Sequence, residues 1–192
     1  MLGKPERRDL FSVALARGII DVYVNVNVSS RSGGNAKFNM TLIQFEPKDA
    51  AYAERVRASF ELQGAMKTLG ASLAGVGPGQ VVIELPWAQS LTQQHGFLHA
   101  GMVAAALDSA CGYAAFSLMP ADAGVLTIEY KINLLAPAQG QRFRMVGQVV
   151  KPGRTVTVAE GRAYAITDGR EKLIATMSAT LMAVTGREGI RN

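Results

Sequence analysis

Several residue types and patterns are scarce in this 192-residue chain, and each scarcity excludes a class of protein. Cysteine occurs once, as Cys111, which excludes an internal disulfide framework and a cysteine-based zinc site. Glycine follows no regular period, which excludes a collagen-like fibre. Charged residues make up 18% and hydrophobic residues 48%, a composition too apolar for a disordered chain. One globular domain in a reducing compartment, the cytoplasm, is therefore expected.

Acidic residues are the minority, and the formal net charge of +5 arises mainly in the last third of the chain. Residues 128–192 hold ten of the 20 basic residues and five of the 15 acidic ones. A cationic surface could suit nucleic acid, an anionic membrane or a phosphate-bearing small molecule. These basic residues stand singly among acids, without a Lys/Arg run or a nucleic-acid-binding motif. We therefore attribute most of the charge to solvated surface and expect neither a nucleic-acid nor a membrane partner.

The N-terminal segment resembles a secretory signal peptide only weakly. Its hydrophobic run, Leu10–Ala16, is interrupted by Arg17, and no small-residue cleavage pattern follows. Ile19–Val28 then alternates hydrophobic and polar residues as a strand does, before a stretch rich in Ser and Gly that is typical of a linker. Secretion is therefore not expected.

Residues 47–186 are expected to form the folded domain. Residues 1–46 would be an N-terminal extension and residues 187–192 a C-terminal tail. Because no core pattern requires residues 1–39, we expect a chain that begins at Met40 to fold and to keep its activity.

The first helical pattern follows Pro47, with Asp49 as a plausible N-cap. Hydrophobic residues recur at helical spacing through residues 51–67, namely Tyr52, Val56, Phe60 and Met66. We expect one amphipathic helix here.

Long hydrophobic runs are also rare, and the one in residues 100–119 carries a single charge, Asp108. A helix that is apolar all round is either a membrane span or buried in a soluble core. A charge at mid-span costs ~2.5–3.5 kcal/mol on insertion scales, and the sequence has no second such segment. A buried central helix is therefore expected.

Strand-like patterns surround this helix and are joined by short turns, which favours antiparallel pairing. In residues 125–135 strict alternation places Leu126, Ile128, Tyr130, Ile132 and Leu134 on one face, and Thr127, Glu129, Lys131 and Asn133 on the other. The other predicted strands are residues 71–76, 81–87, 141–151, 155–166 and 173–184. The expected fold is the α+β hotdog fold, a curved antiparallel sheet of five or six strands wrapped around one apolar helix.

Two features of the central helix suggest acyl-transfer chemistry. A carboxylate in an apolar helix is either stabilised by buried partners or functional, and composition alone favours neither reading of Asp108. The amides of Ala100 and Gly101 begin the helix, where free N–H groups receive a carbonyl oxygen or oxyanion. Asp108 lies eight residues after Ala100, or about 12 Å along the axis at ~1.5 Å per residue. One carbonyl group cannot bridge both within a chain, so we infer a homodimer with a shared site.

These motifs resemble the PaaI-like acyl-CoA thioesterases of the hotdog superfamily over about two-thirds of the chain, from about Tyr52 to Thr185. The resemblance is carried, in chain order, by Gly96-x-x-His99-x-Gly101, Asp108 nine residues after His99, Gly112-Tyr113-Ala114-Ala115, Thr127 ten residues before Pro137, and Gly153-Arg154-Thr155. It implies hydrolysis of acyl-CoA to free acid and CoA by a homodimer or a dimer of dimers, without metal or cofactor.

The resemblance also implies roles for individual residues. Asp108 would be the general base or nucleophile, and the N–H of Ala100, where the family usually has glycine, would polarise the thioester carbonyl. Gly101 would belong to the same substrate-binding turn. Apart from the resemblance, we expect His99 to bond to the backbone or to Gln93 and so to hold the loop. The remaining implied roles are Gln93, or its rival Gln94, for orienting water or substrate, Thr127 for placing the hydrolytic water, and Arg154 for the CoA phosphates.

Other interpretations of the same residues remain open. The i, i+4 pair His95 and His99 could bind a metal with Asp108, although both histidines precede the helix. Ser109 and Cys111 are candidate nucleophiles, yet the chain has no GxSxG elbow, and packing explains them better. A non-catalytic acyl-CoA-binding protein and a hotdog hydratase or dehydratase are the alternative functions. The sequence does not specify the acyl group.

Overall fold

The computed structural model describes residues 8–13, 22–29, 37–42, 45–187 and 189. Contacts within the chain divide it into two compact units, which meet in sequence between Phe45 and Glu46.

The first unit is a three-stranded antiparallel sheet in the order β1-β2-β3. Its strands are β1 (Arg8–Val13), β2 (Val22–Ser29) and β3 (Lys37–Leu42). Residues 22–28 of the alternating segment expected to be a strand lie in β2, and residues 19–21 lie outside the described residues. Met40 lies inside β3, so a chain that begins at Met40 would lack the first half of that strand.

The second unit begins with two short helices, α1 (Tyr52–Leu62) and α2 (Gly64–Leu69), where the sequence predicted one helix. The prediction of a continuous helix was wrong because Gln63 between them is extended, with φ −79° and ψ 98°. Val56, Phe60 and Met66 are buried, as their spacing predicted.

Asp49 is not the N-cap of α1, because that position is taken by Ala51. Its carboxylate accepts a hydrogen bond from the Ala51 N–H and forms an ion pair with Arg55 (2.9 Å). Arg55 also donates to the carbonyl oxygens of Phe116 and Met119, after the last turn of the central helix. A cation at this end complements the helix dipole and attaches α1 to the central helix.

Six antiparallel strands form the main sheet, in the order β4-β5-β7-β8-β9-β6. They are β4 (Ser72–Gly77), β5 (Gln80–Pro86), β6 (Gly124–Leu134), β7 (Arg142–Lys151), β8 (Val156–Thr167) and β9 (Arg170–Val184). A single turn of 3-10 helix at Gln89–Leu91 and the central helix α3 (Ala100–Phe116) connect β5 to β6. The predicted α+β hotdog architecture is confirmed.

The central helix α3 packs against β5, β7, β8, β9 and β6. Two glycines allow this close approach. A Cβ built on Gly147 of β7 would lie 2.2 Å from the carbonyl oxygen of Ala110, and one built on Gly161 of β8 would lie 2.8 Å from Leu107. Among the described residues, no helix is long and apolar enough to cross a bilayer.

Strand β6 departs from the strict alternation that its sequence predicts. Its register with β9 shifts between Thr127 and Glu129, so Ile128 is an extra residue in a β-bulge. Before the bulge, Thr127 pairs with the buried Leu181 and shares its face. Leu126 does face the opposite side, as predicted. After the bulge Tyr130, Ile132 and Leu134 lie on the same face as Thr127, so the prediction that placed Thr127 opposite these three was wrong.

β6 forms one end of the main sheet and pairs only with β9 in the described part of the chain. The hydrophobic residues along it are unusually exposed, each between 41% and 56%: Leu126, Ile128, Tyr130, Leu134 and the following Leu135. An uncovered hydrophobic edge of this kind is typical of a surface that associates with another chain.

Candidate active site

Two separate cavities lie along α3 within one chain. The first, which we call the Asp108 cavity, is lined by Gln63, Asp108, Ser109, Gly112, Tyr113, Val125 and Thr127. The second, the Ala100 cavity, is lined by Gln93, Phe97, Leu98, Ala100, Val103, Leu134, Ala136, Pro137, Ala138 and Ile174. They have no lining residue in common. The two groups expected to act on one carbonyl therefore face different cavities of the same protomer.

The N-terminus of α3 is built around His99, which is its N-cap. The ring atom Nδ1 of His99 accepts a hydrogen bond from the Gly101 N–H at 2.9 Å. The backbone carbonyl oxygen of His99 accepts from Met102 and Val103. The N–H of Ala100 has no acceptor among the described residues, and Ala100 lines the cavity, so this amide is a candidate donor to a carbonyl oxygen.

The two amides expected at this terminus are therefore not equivalent. His99 already occupies the N–H of Gly101, whereas the N–H of Ala100 has no such partner. Of the options for His99, the backbone contact is the one observed. An acceptor at Nδ1 requires that this nitrogen carries no proton, so a neutral ring has its N–H at Nε2.

The loop before α3 positions Gln93 and leaves Gln94 outside both cavities. The backbone N–H of Gln93 donates to Phe97, and its carbonyl oxygen accepts from Gly96. Its side-chain Oε1 accepts from the backbone N–H of His95. The Gln93 side chain lines the Ala100 cavity, whereas Gln94 contacts the exposed His95 ring.

Asp108 is half-buried, and its Oδ1 accepts a hydrogen bond of 2.9 Å from Thr127 Oγ1. Burial raises the pKa of the Asp108 carboxyl above its ordinary value of 3.8, because the charged form loses hydration. The Thr127 hydrogen bond acts in the opposite direction, since it stabilises the ionised form. A raised pKa makes this carboxylate a stronger proton acceptor than an ordinary aspartate.

Sequence reasoning missed Gln63, which belongs to the Asp108 cavity. Its Oε1 accepts a hydrogen bond of 3.2 Å from the hydroxyl of Ser109. The signal that could have found it is Gly64, because a glycine inside a helical pattern marks a possible break. Ser109 is thus engaged by an amide rather than by a base that could activate it.

Three further candidates have simpler surroundings. Arg154 is exposed in the turn between β7 and β8. Cys111 is fully buried, and burial raises the pKa of its thiol well above the ordinary range, which makes it a poor nucleophile. Within the described ranges, no three metal-ligating side chains come together, so His95, His99 and Asp108 form no metal site there.

The family sequence model that describes the thioesterase superfamily matches residues 95–172 of the chain. A solved thioesterase family protein from Silicibacter pomeroyi is 59% identical, with a TM-score of 0.70, and the match covers 70% of this chain and 99% of that one. A Saccharolobus solfataricus protein with a provisional esterase name is 35% identical over 94 residues. That match spans 49% of this chain and 66%, about two thirds, of the relative.

The 1,4-dihydroxy-2-naphthoyl-CoA hydrolase of Listeria monocytogenes is 26% identical over 118 residues, which are 62% of this chain and 94% of that enzyme. The E. coli PaaI protein, 18% identical, has the same fold with a TM-score of 0.63 over 70% of this chain and 94% of that one. The predicted PaaI-like resemblance is thus confirmed, and the chain belongs to the thioesterase superfamily of hotdog-fold hydrolases.

Proposed function

We propose that the protein hydrolyses acyl-CoA thioesters to a free acid and CoA. The observation that carries the proposal is the presence of two groups on α3, a half-buried carboxylate at Asp108 and an amide at Ala100 that has no acceptor among the described residues. Acyl transfer needs both a base or nucleophile and a donor for the developing oxyanion. The acyl-CoA hydrolase among the relatives supports CoA esters as the substrates.

In the proposed reaction, the Ala100 N–H donates a hydrogen bond to the thioester carbonyl oxygen, where negative charge develops. Asp108 either takes a proton from the water that attacks the carbonyl carbon or attacks that carbon itself. In both routes the C–S bond breaks, water supplies the new acid oxygen, and the thiolate of CoA is protonated. Thr127 holds the Asp108 carboxylate in position and lowers its pKa.

A homodimer would bring the two groups to one carbonyl. The Asp108 cavity meets β6 near its start, at Thr127, and the Ala100 cavity meets it at the end, at Leu134. If β6 of a second copy pairs antiparallel with this open edge, opposite ends of the two strands become neighbours. The Asp108 cavity of one chain would then adjoin the Ala100 cavity of the other. The exposed hydrophobic residues of β6 support this arrangement.

The remaining candidates have supporting roles in this proposal. Gln93 would orient the substrate or water, because it lines the Ala100 cavity and its side-chain oxygen already accepts a hydrogen bond from the His95 N–H. Arg154 would bind a CoA phosphate from its exposed turn. His99 holds the N-terminal turn of α3 and so fixes the direction of the Ala100 amide.

A panel of acyl-CoA esters with the purified full-length protein tests the proposal. We expect release of free CoA thiol, with saturation kinetics, from at least one ester of short-chain, medium-chain or aromatic acids. The control is the matching oxygen ester, which offers the same acyl group with a poorer leaving group. Saturable CoA-ester binding without any thiol release would instead identify a non-catalytic binding protein and overturn the proposed hydrolysis.

A further inference from the structure

Gln63 occupies the break between α1 and α2, and its backbone is held on both sides. Its N–H donates to the carbonyl oxygen of Phe60 at 3.0 Å. Its own carbonyl oxygen accepts from Met66 at 3.1 Å and from Lys67 at 3.3 Å. These bonds fix the point from which the Gln63 side chain extends to Ser109 of α3.

This contact engages only the oxygen of the Gln63 side-chain amide. Its Oε1 accepts from the hydroxyl of Ser109, which leaves an NH2 group with two N–H donors. Neither donor has an acceptor in the part of the chain that the structure describes. Because the side chain also lines the Asp108 cavity, these donors are available to whatever fills it.

Gly112 shows that the cavity has room for a ligand. It lies one turn after Asp108 on α3 and is buried, yet a Cβ built on it would meet nothing within 4 Å. Glycine inside a helix is destabilising relative to alanine, and packing gives no reason for it here. An acyl group whose carbonyl lies near Asp108 can therefore extend along the bare surface of α3 at Gly112.

The wall of this cavity is mostly polar, unlike that of the Ala100 cavity. Five of its seven lining residues carry a hydroxyl, carboxyl or amide group: Gln63, Asp108, Ser109, Tyr113 and Thr127. A purely aliphatic acyl group would strip water from the Gln63 amide without replacing its hydrogen bonds. An acyl group with an oxygen in the right place would accept them.

We propose that Gln63 is a specificity-determining residue, whose side-chain NH2 donates a hydrogen bond to a hydroxyl or carbonyl oxygen on the acyl group. The protein would then prefer oxygen-bearing acyl-CoA esters to their unsubstituted counterparts. This inference rests on the proposed thioester hydrolysis and adds to it the class of acyl group. Gln63 lies outside the segment that the family comparison matched.

The test compares esters that differ by one hydroxyl group. The probes are butanoyl-CoA with its 3- and 4-hydroxy derivatives, and benzoyl-CoA with its three ring-hydroxylated derivatives. For at least one pair, the full-length protein should show a kcat/KM at least ~10-fold higher for the hydroxylated ester, as expected for one satisfied hydrogen bond. In Gln63→Leu this ratio should fall to about 1.

Two further variants make the result interpretable. Glu61→Leu places the same side chain at an exposed position outside the cavity, two residues away, and should keep the wild-type ratio. Gln63→Asn keeps an amide but shortens it, so it should lose most of the preference. It also provides the decisive comparison if Gln63→Leu does not fold.

The outcomes separate this inference from the proposed function. Hydrolysis without a hydroxyl preference, or a preference that both Gln63 variants retain, overturns the role of Gln63 and leaves thioester hydrolysis standing. Absence of hydrolysis for every ester overturns the proposed function and the inference with it. A preference lost in the Gln63 variants and kept in Glu61→Leu supports the inference.

Discussion

At the residue scale, the surroundings of Asp108 favour the role proposed for its carboxylate at the expense of the stability of the fold. Because burial raises its folded-state pKa above 3.8, its contribution to stability is full below that pH and is lost as pH rises through the folded pKa. Asp108→Asn should therefore lower kcat by at least ~100-fold. It should also raise Tm at neutral pH, and this gain should disappear near pH 3.8.

Stopped assays of thiol release and thermal melts across pH measure the two effects together. Near-normal turnover in Asp108→Asn would contradict the assignment of Asp108. A lower Tm at neutral pH would show that the ionised carboxylate stabilises the fold, contrary to the direction of its pKa shift.

Thr127 gives a second residue-scale prediction, on pH dependence. Its hydrogen bond lowers the pKa of Asp108, so Thr127→Val should raise that pKa further and move the acidic limb of kcat/KM to higher pH. The control is Thr180→Val, which removes the hydrogen bond from Thr180 to Glu129. Neither of these two residues lines either cavity. An unchanged acidic limb in Thr127→Val, alongside a clear loss of rate, would limit Thr127 to placing water.

Only part of the site could be predicted at this scale. A single charge in an apolar run identifies Asp108, and small residues at the start of that run identify the Ala100 amide. Gln63 is 45 residues before Asp108 and reaches the cavity only through the packing of α1 against α3. Gly64 marks a possible break beside Gln63 in the sequence, but no local pattern indicates that Gln63 contacts α3.

At the element scale, the packing of α3 on the sheet depends on Gly147. Gly147→Ala would place a methyl group 2.2 Å from the Ala110 carbonyl oxygen, which is backbone and cannot turn aside. We expect a loss of at least ~3 kcal/mol in the free energy of unfolding, at the upper end for overpacking. Gly112→Ala is the matched control, because its methyl group meets nothing and should stabilise α3 by ~0.5–1 kcal/mol.

Urea denaturation of the two variants measures the contrast. If Gly147→Ala unfolded at the wild-type midpoint, α3 would have to lie farther from β7 than the structure places it.

Helices and strands were predicted well where the spacing of hydrophobic residues stays regular, and poorly where that spacing changes within an element. Strand-like runs bounded by turn signals located all six strands of the main sheet to within a few residues, and strict alternation assigned the two faces of β6. That alternation failed inside β6, because the bulge at Ile128 shifts the phase of the strand by one residue. The break at Gln63 was missed because buried hydrophobic residues lie on both sides of it. Val56 and Phe60 precede it and Met66 follows it, so the sequence resembles one continuous amphipathic helix.

At the scale of the whole molecule, the architecture follows from one physical constraint. A helix without a polar face must be surrounded, and a six-stranded antiparallel sheet can wrap it if glycines allow close approach. Assembly is harder to derive. The spacing of eight residues places Ala100 and Asp108 about 12 Å apart along the helix axis, at ~1.5 Å per residue. The structure adds two distinct cavities and an open hydrophobic edge at β6.

Assembly of the site from two chains predicts complementation between inactive partners. One parent carries Asp108→Asn, and the other carries Ala100→Pro, which removes the N–H proposed to bind the carbonyl oxygen. Proline fits the first turn of a helix, and His99 already has the extended backbone, φ −62° and ψ 138°, that a residue before proline adopts. Both parents should therefore fold and dimerise while showing little turnover.

In a mixed dimer of these parents, one site collects both defects and the other collects neither. If the two sites act independently, the mixed dimer should recover about half the wild-type activity per dimer. Native mass spectrometry confirms that the mixed dimer has formed, and the thiol-release assay measures its turnover. If instead each site used Asp108 and Ala100 of the same chain, every site of the mixed dimer would carry one defect. A mixed dimer no more active than its parents would therefore contradict a site shared between two chains across the β6 edge.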